Sequence, residues 1–193
     1  MLSNKLSKFN IILASNSPRR QQLLKDLDLS FEIRTKEVEE IYPNELLGIE
    51  ITDFLANLKS KPFENELKEN DLLITSDTIV WFDNKALGKP KNYKEAFKML
   101  KELSNNTHQV ITSICFTSKK KKHIINDATT VTFKKLTDEE INYYINTYKP
   151  FDKAGAYGIQ EWIGKIGITQ IEGSYFNVMG FPVHKLYKEL INL

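Results

Sequence analysis

The sequence predicts an α/β fold in which a mixed, twisted sheet is flanked by helices. Helix-type and strand-type hydrophobic patterns alternate over the first hundred residues, which is typical of a sheet with helical connections. Two long strand-like runs, 109–117 and 124–133, are joined by a lysine-rich turn and predict an antiparallel ribbon. A mixed sheet accounts for both patterns.

Seven short runs rich in β-branched and aromatic residues predict the strands. Asp83 and Asn84, which follow the fourth run, are suited to a hairpin turn. The predicted strands are 10–13, 31–35, 72–75, 79–82, 109–117, 124–133 and 166–171.

Four segments carry apolar residues at helical spacing, which predicts amphipathic helices. Asn92 with Glu95, and Thr137 with Glu140, have the spacing of a capping box, and Pro182 suits a first helical turn. The apolar positions are Ile51, Phe54, Leu55 and Leu58; Tyr93, Ala96, Phe97 and Leu100; Ile141, Tyr144, Ile145 and Tyr148; and Val183, Leu186, Tyr187, Leu190 and Ile191.

Length and composition predict one globular domain over residues 1–193, since 41% of the residues are hydrophobic and 27% are charged. The single cysteine, Cys115, excludes an intramolecular disulfide and favours a reducing compartment. No apolar run reaches the roughly 18 residues of a membrane span, and the N-terminal segment is too polar for a secretory signal. We therefore expect a cytoplasmic protein, and its net charge of +2 argues against a dedicated nucleic-acid binder.

Two adjacent arginines mark the first candidate site. Only three of the 27 basic residues are arginines, and two of these are Arg19 and Arg20. Ser17 and Pro18 suit the N-cap and the first residue of a helix, which places both arginines in its first turn. Cations are unfavourable at that end of the helix dipole unless an anion binds there. We therefore expect a phosphate at this turn; the alternative is an exposed turn whose arginines reach into water.

Acidic residues and a lysine follow three of the predicted strands. Asp77 follows a buried strand and could hold a divalent metal or take a proton from water, although Asp also commonly starts a turn. Lys89, between a glycine and a proline, is either held in place near a ligand or solvated in a turn. Glu37, Glu39 and Glu40 could supply metal ligands or form a solvated acidic loop.

Residues 152–160 form a further candidate segment. Gly155 and Gly158 among small residues predict backbone that lies close to a ligand or to packed neighbours. The segment lacks the third glycine of a dinucleotide-binding fingerprint, and the chain contains neither a P-loop motif nor a Gly-x-Ser-x-Gly motif. The three histidines lack metal-ligand spacing and are predicted to be packing or surface residues.

Taken together, these segments resemble the Maf family of nucleoside triphosphate pyrophosphatases. The matching blocks occur in order between residues 13 and 182. They are Leu-Ala-Ser-x-Ser-Pro-Arg-Arg at 13–20, Glu-Val-Glu-Glu at 37–40, Ser-Asp-Thr-Ile-Val at 76–80, Leu-Gly-Lys-Pro at 87–90, Asp-Lys-Ala-Gly-Ala-Tyr-Gly-Ile-Gln at 152–160, Ile-Glu-Gly-Ser-Tyr at 171–175 and Asn-Val-Met-Gly-Phe-Pro at 177–182.

The resemblance implies an inosine-triphosphatase-like fold with two lobes and a central cleft. It implies hydrolysis of a nucleoside triphosphate to the monophosphate and pyrophosphate, with a divalent metal cation, Mg²⁺ or Mn²⁺, held by Glu40 and Asp77. Asp77 matches the proton acceptor of the family, and Glu40 and Lys89 would share in catalysis. The residues implied in binding the phosphates are Ser15, Arg20, Lys59 and Lys89.

Three further positions, Arg19, Thr78 and Gln160, match those that distinguish the subfamilies. Their combination resembles the branch that acts on dTTP and UTP and thereby clears nucleotide pools. The Gln160 amide and the Thr78 hydroxyl would pair with the pyrimidine edge. Glu161 and Ser76 depart from the glycine and alanine that are common at these places.

Two other interpretations stay open. One is a non-catalytic nucleotide-binding regulator of cell division, because Maf proteins are associated with septum formation; the carboxylates beside the phosphate cluster favour an enzyme instead. The other is an enzyme for a purine or modified nucleotide. The expected partner is a small-molecule nucleotide, with no stable nucleic-acid or membrane binding, and the family suggests a homodimer.

Overall fold

The computed structural model describes residues 2–193, and within them seven strands form one mixed sheet flanked by helices. The α/β prediction is therefore confirmed. The strands are β1 (Asn10–Leu13), β2 (Glu32–Ile33), β3 (Asp71–Phe82), β4 (Lys85–Leu87), β5 (Thr107–Thr117), β6 (Lys122–Phe133) and β7 (Ile168–Glu172).

The sheet has the strand order β2-β1-β3-β5-β6-β7, and β4 pairs with β3 outside this path. β1 runs parallel to β2 and β3, whereas the β3–β4 and β6–β7 pairs are antiparallel. Asp83 and Asn84 join β3 to β4 and both have positive φ angles, of 48° and 57°. These angles are those of a type I′ hairpin turn, as the sequence predicted.

Helices form where the apolar spacing predicted them, but two of the predicted starts differ in detail. Pro182 is an N-cap and lies just before its helix, and the Glu95 carboxylate accepts from the Lys91 N–H instead of from Asn92. Asn92 accepts a hydrogen bond from the Glu95 backbone N–H, and Thr137 and Glu140 form a complete capping box. The helices are α1 (Leu2–Lys5), α2 (Pro18–Lys25), α3 (Ile49–Ser60), α4 (Tyr93–Leu103), α5 (Asp138–Tyr148), α6 (Trp162–Gly167), α7 (Tyr175–Val178) and α8 (Val183–Ile191), with 3₁₀ turns at Lys61–Glu66 and Ala154–Ala156.

Several strand predictions differ from the structure. The run 31–35 shortens to Glu32–Ile33, and β4 was not among the predicted runs. The runs 72–75 and 79–82 belong to one strand, β3, which continues through the polar residues between them. The last predicted strand, 166–171, begins instead at Ile168, because helix α6 extends to Gly167. Gly167 packs so closely on Phe133 that a Cβ there would lie 3.0 Å from its ring.

The chain divides into two compact units. The first consists of the described residues of Met1–Asp77 together with Thr112–Asp127 and Gly180–Leu193. Its core contains Ile12, Phe63, Leu67 and Leu73, all buried. Helix α1 lies against α8: Leu2 and Leu6 are buried, and Lys5 Nζ donates to the Ile191 carbonyl at 2.9 Å.

The second unit consists of Thr78–Ile111 and Ala128–Met179. Its core brings together residues of β3, α4, β5, β6 and α5, among them Val80, Leu100, Val110, Val131 and Tyr144. That the chain forms a single domain stays a prediction. Among residues 2–193, no helix is both long and apolar enough to cross a lipid bilayer.

Candidate active site

The first turn of α2 is built as the sequence predicted. Ser17 is the N-cap, its hydroxyl accepts a hydrogen bond from the Arg20 N–H at 3.5 Å, and Pro18 is the first helical residue. The first turn contains no acidic side chain, so Arg19 and Arg20 lie at the positive end of the helix dipole. The Ser15 hydroxyl accepts from the Ser17 N–H at 3.2 Å, which ties the end of β1 to this turn.

Backbone carbonyls fix the Arg20 guanidinium. Its Nε donates to the Gly180 carbonyl and its Nη1 donates to the Ser76 carbonyl, both at 2.9 Å. Burial lowers the pKa of Arg20 below its ordinary value, and the negative charge of Asp77 opposes that shift. Arg20 is therefore a cation of fixed orientation beside the carboxylate at the middle of β3.

Helix α3 is held on the sheet by three hydrogen bonds of polar side chains. The Thr75 hydroxyl of β3 donates to the Ala56 carbonyl at 2.7 Å, and the hydroxyls of Thr52 and Ser113 are 2.7 Å apart. The Ser113 hydroxyl also donates to Asp53 at 2.5 Å. Because these bonds fix the helix against the sheet, Lys59 in its last turn lies over the strand position that follows Thr75 on the same face.

That position is Asp77. Lys59 Nζ lies 2.5 Å from Asp77 Oδ1 and 2.9 Å from Glu40 Oε1, so both carboxylates converge on one ammonium group. The Asp77 side chain is 8% exposed, whereas that of Glu40 is 41% exposed. The structure therefore brings together four of the residues implied by the resemblance: Arg20, Glu40, Lys59 and Asp77.

The pKa of Asp77 is raised above its ordinary value. Burial is the largest cause, and Glu40 adds to it, whereas Lys59 and Arg20 act in the opposite direction. A carboxylate with a raised pKa is a stronger proton acceptor than an exposed one, which suits acid–base chemistry.

Glu40 lies in a segment without regular secondary structure, residues 34–48. The Ile41 N–H donates to the Glu39 carbonyl at 2.9 Å, which makes a three-residue turn with Glu40 at its centre. The start of the segment is fixed by the Arg34 N–H, which donates to the Leu13 carbonyl at 3.1 Å.

The second unit joins two of the motif segments. The Gly155 N–H donates to the Gly88 carbonyl at 3.1 Å, which ties segment 152–160 to the Gly-Lys-Pro turn. Gly155 has a φ angle of 65°, and a Cβ there would lie 2.7 Å from Val80 Cγ2. The predicted close packing of this glycine is confirmed. Lys89 itself is exposed, and Thr78 is half-buried.

Gln160 ends the same segment and is also half-buried. Its side-chain carbonyl oxygen is buried and has no hydrogen-bond partner among the described residues. A buried acceptor without a donor is unfavourable, so the amide is suited to accept a hydrogen bond from a ligand.

Sequence reasoning did not assign the groups that hold Arg20. Gly180 contributes its carbonyl at a φ angle of 102°, which favours glycine. The signal for it was the Asn-Val-Met-Gly-Phe-Pro block at 177–182, whose glycine had no role assigned from the sequence.

The donor set available for a metal is small. Among residues 2–193, no group of three or more His, Cys, Asp or Glu side chains is arranged to hold a metal ion. Glu40 and Asp77 supply two carboxylates that meet at one cation. This matches Mg²⁺, which proteins bind through one or two carboxylates together with substrate phosphates.

The family model described as "Maf-like protein" matches residues 10–193. The chain belongs to the Maf family. The resemblance inferred from the motifs is therefore confirmed.

Curated relatives of this Maf chain are similar over its full length. A protein of Flavobacterium johnsoniae named dTTP/UTP pyrophosphatase is 63% identical over 193 residues, which is 100% of both chains. A protein of Flavobacterium psychrophilum with the same name is 62% identical and covers 100% of this chain and 98% of its own. A third so named, from Christiangramia forsetii, is 56% identical over 98% of this chain and 97% of its own.

Among solved structures, the Ham1 protein of Staphylococcus aureus has the same fold. The match has a TM-score of 0.53 at 16% sequence identity, and it covers 95% of this chain and 98% of the other. At this identity the similarity concerns the fold alone.

Proposed function

We propose that this Maf chain hydrolyses dTTP and UTP to the monophosphate and pyrophosphate. Three relatives that are 56–63% identical over essentially the whole chain are named dTTP/UTP pyrophosphatase. The observation that carries the proposal to particular side chains is the convergence of Asp77 and Glu40 on Lys59, with Arg20 fixed beside Asp77.

Charge neutralisation is the first task of such a site. A triphosphate carries several negative charges, and attack at the α-phosphorus moves further charge onto the bridging oxygen of the leaving pyrophosphate. In this proposal the phosphates bind at the first turn of α2, where Ser15, Arg20 and backbone N–H groups meet them, and Lys59 and Lys89 add positive charge. An orientation fixed before binding costs no reorganisation during the reaction.

Asp77 is the proposed proton acceptor. Its carboxylate orients the attacking water and takes its proton, and burial has already raised its pKa toward the working pH. Lys59 keeps that carboxylate in place through their short ion pair.

Glu40 and Asp77 are the proposed ligands of a divalent cation, Mg²⁺ or Mn²⁺. When bound, such a cation supplies Lewis acidity and neutralises phosphate charge. Hard carboxylate oxygens suit both metals.

Recognition of the base is assigned to Arg19, Thr78 and Gln160. The buried, unpartnered carbonyl of Gln160 supports this assignment, because it needs a donor such as the N3–H of uracil or thymine. Sites built on such polar pairs discriminate strongly against bases that leave them unpaired.

Replacement of Asp77 by asparagine tests the proposal. The change keeps the size of the side chain and removes its basicity, so we expect kcat for UTP to fall by about 10²–10⁴-fold. The matched control is Asp83→Asn, in the exposed β3–β4 turn, where the positive φ angle of 48° is one that asparagine adopts readily.

Products and base preference complete the test. Monophosphate and pyrophosphate should appear with UTP and dTTP, and much more slowly with ATP, GTP and CTP. Diphosphate and orthophosphate would indicate another reaction, and equal rates on all bases would contradict the assigned selectivity. Nucleotide binding without turnover would refute the proposed function in favour of a non-catalytic regulator.

A further inference from the structure

The Tyr144 hydroxyl is the centre of a buried hydrogen-bond network in the second unit. Tyr144 is fully buried on α5, and its hydroxyl donates to the Glu161 carboxylate in a short bond. The same oxygen accepts from the Gly158 N–H at 3.0 Å. The other carboxylate oxygen of Glu161 lies 3.2 Å from the buried ammonium of Lys153.

This network closes a turn of four residues. The Glu161 N–H donates to the Gly158 carbonyl at 3.0 Å, so both the backbone and the side chain of Glu161 are tied back to Gly158. The space between them is tight, since a Cβ on Gly158 would lie 2.9 Å from the Glu161 carboxyl carbon. Turn 158–161 is thus fixed at both ends.

Gln160 is the third residue of this turn, and its side-chain amide carries the buried, unpartnered oxygen. An amide presents an acceptor and a donor side by side, which matches the N3–H and carbonyl edge of uracil or thymine. After rotation by half a turn, the same amide matches the cytosine edge. This rotation occurs within the side chain, so the backbone does not choose the orientation of the amide. The backbone sets whether the amide reaches the base edge at hydrogen-bond distance. A turn that moves would therefore weaken the pairing with uracil or thymine on which the selectivity depends.

We propose that the hydrogen bond between Tyr144 and Glu161 sets the selectivity for uracil and thymine over cytosine, by fixing turn 158–161 and with it Gln160. This inference rests on the proposed function, because it assumes that the base meets Gln160. Tyr144 and Glu161 are positioning residues here, and neither is assigned a contact with the substrate.

The test compares kcat/KM for UTP and CTP in variants of the full chain. Tyr144→Phe removes the hydroxyl that both Gly158 and Glu161 use, and Glu161→Ala removes the acceptor. In each variant we expect the UTP/CTP ratio of kcat/KM to fall about tenfold, the effect of losing one hydrogen bond, mainly through a higher KM for UTP. Glu161→Gln keeps an acceptor for the Tyr144 hydroxyl and should retain most of the selectivity.

The matched control is Tyr148→Phe, on the same helix, whose ring stacks on that of Tyr144 at 5.1 Å. It should leave the ratio unchanged, and thermal unfolding of every variant separates selectivity from loss of fold. If Tyr144→Phe does not fold, the contrast between Glu161→Ala and Glu161→Gln decides.

Two negative outcomes are distinguishable. If the wild-type chain cleaves UTP in preference to CTP and both Tyr144→Phe and Glu161→Ala keep that preference, this inference alone is overturned. If the wild-type chain cleaves neither UTP nor dTTP, the proposed function is wrong and this inference falls with it.

Discussion

Replacement of His108 by glutamine tests how a buried ring couples stability to pH. His108 is 3% exposed, and its ring stacks on Phe133 with centroids 5.7 Å apart. Its Nε2 lies 2.7 Å from the Tyr157 hydroxyl oxygen, and its Nδ1 is buried without a partner among the described residues. Burial lowers the pKa of His108 from its ordinary value of 6.5 to about 4, because the charged ring would lose its hydration.

The sign of the coupling follows from this lowered pKa. The unfolded chain takes up the proton near pH 6.5, whereas the folded chain resists protonation until about pH 4. The stability contribution is therefore complete above the unfolded pKa and is lost as the pH falls through this interval. Between pH 7.5 and pH 4.5 the loss from this one group is about 2.5 kcal/mol.

Urea unfolding at pH 7.5 and pH 4.5, followed by far-UV circular dichroism, measures the effect. Glutamine has no charge to gain, so the free energy of unfolding of His108→Gln should change about 2.5 kcal/mol less between the two pH values than that of the wild type. The same replacement at His184, whose side chain is exposed, controls for the loss of a histidine as such. Equal pH dependence in wild type and His108→Gln would refute the reasoning.

Three further substitutions test the packing of particular groups by chemical denaturation. Ser76→Ala should raise the free energy of unfolding by about 1 kcal/mol, because the Ser76 hydroxyl is buried without a hydrogen-bond partner among the described residues; a lower stability would show that the hydroxyl has a favourable contact. Gly155→Ala should lower the free energy of unfolding by more than about 1 kcal/mol, because the φ angle of 65° disfavours alanine and a Cβ would lie 2.7 Å from Val80 Cγ2. An unchanged free energy of unfolding would show that alanine is accommodated there without strain. Thr137→Ala should lower it by about 1 kcal/mol through loss of the bond from the Glu140 N–H, whereas Thr137→Ser should restore most of the loss.

The helices could be predicted because their determinants lie within one or two turns of the chain. Asn92 and Glu95 are three residues apart, as are Thr137 and Glu140. Thr137 and Glu140 form the complete capping box, whereas the Asn92 side chain caps the Glu95 N–H without the reciprocal bond. Apolar spacing then fixes which face of the helix is buried.

Strand β3 marks the limit of such local reasoning. The polar residues around Asp77 suggested that the strand ended there, but it continues to Phe82. It continues because the polar side chains find partners on α3: the Thr75 hydroxyl bonds to the Ala56 carbonyl, and Asp77 pairs with Lys59. Those partners are 18 and 19 residues away in sequence, so no local pattern contains them.

The same limit of local sequence patterns applies to the candidate site. The types of its residues could be predicted from motifs, whereas their geometry depends on contacts between distant segments. Arg20 is oriented by the carbonyl of Gly180, 160 residues further along the chain. The hydrogen bond from Tyr144 to Glu161 joins residues that are 17 positions apart, and no periodic sequence pattern relates them.

The packing of α1 on α8 bears on where this protein can be shortened. The family match starts at residue 10, so trimming to that boundary would remove Leu2 and Leu6, which are 5% and 3% exposed. Each buried leucine contributes about 2 kcal/mol to the free energy of unfolding through the burial of its apolar surface. Their removal would also expose to solvent the side of α8 on which they pack. The start of the family match is therefore not the start of the folded unit. A protein that begins at residue 10 should be less soluble than one that retains the preceding helix, and it should have a lower melting temperature.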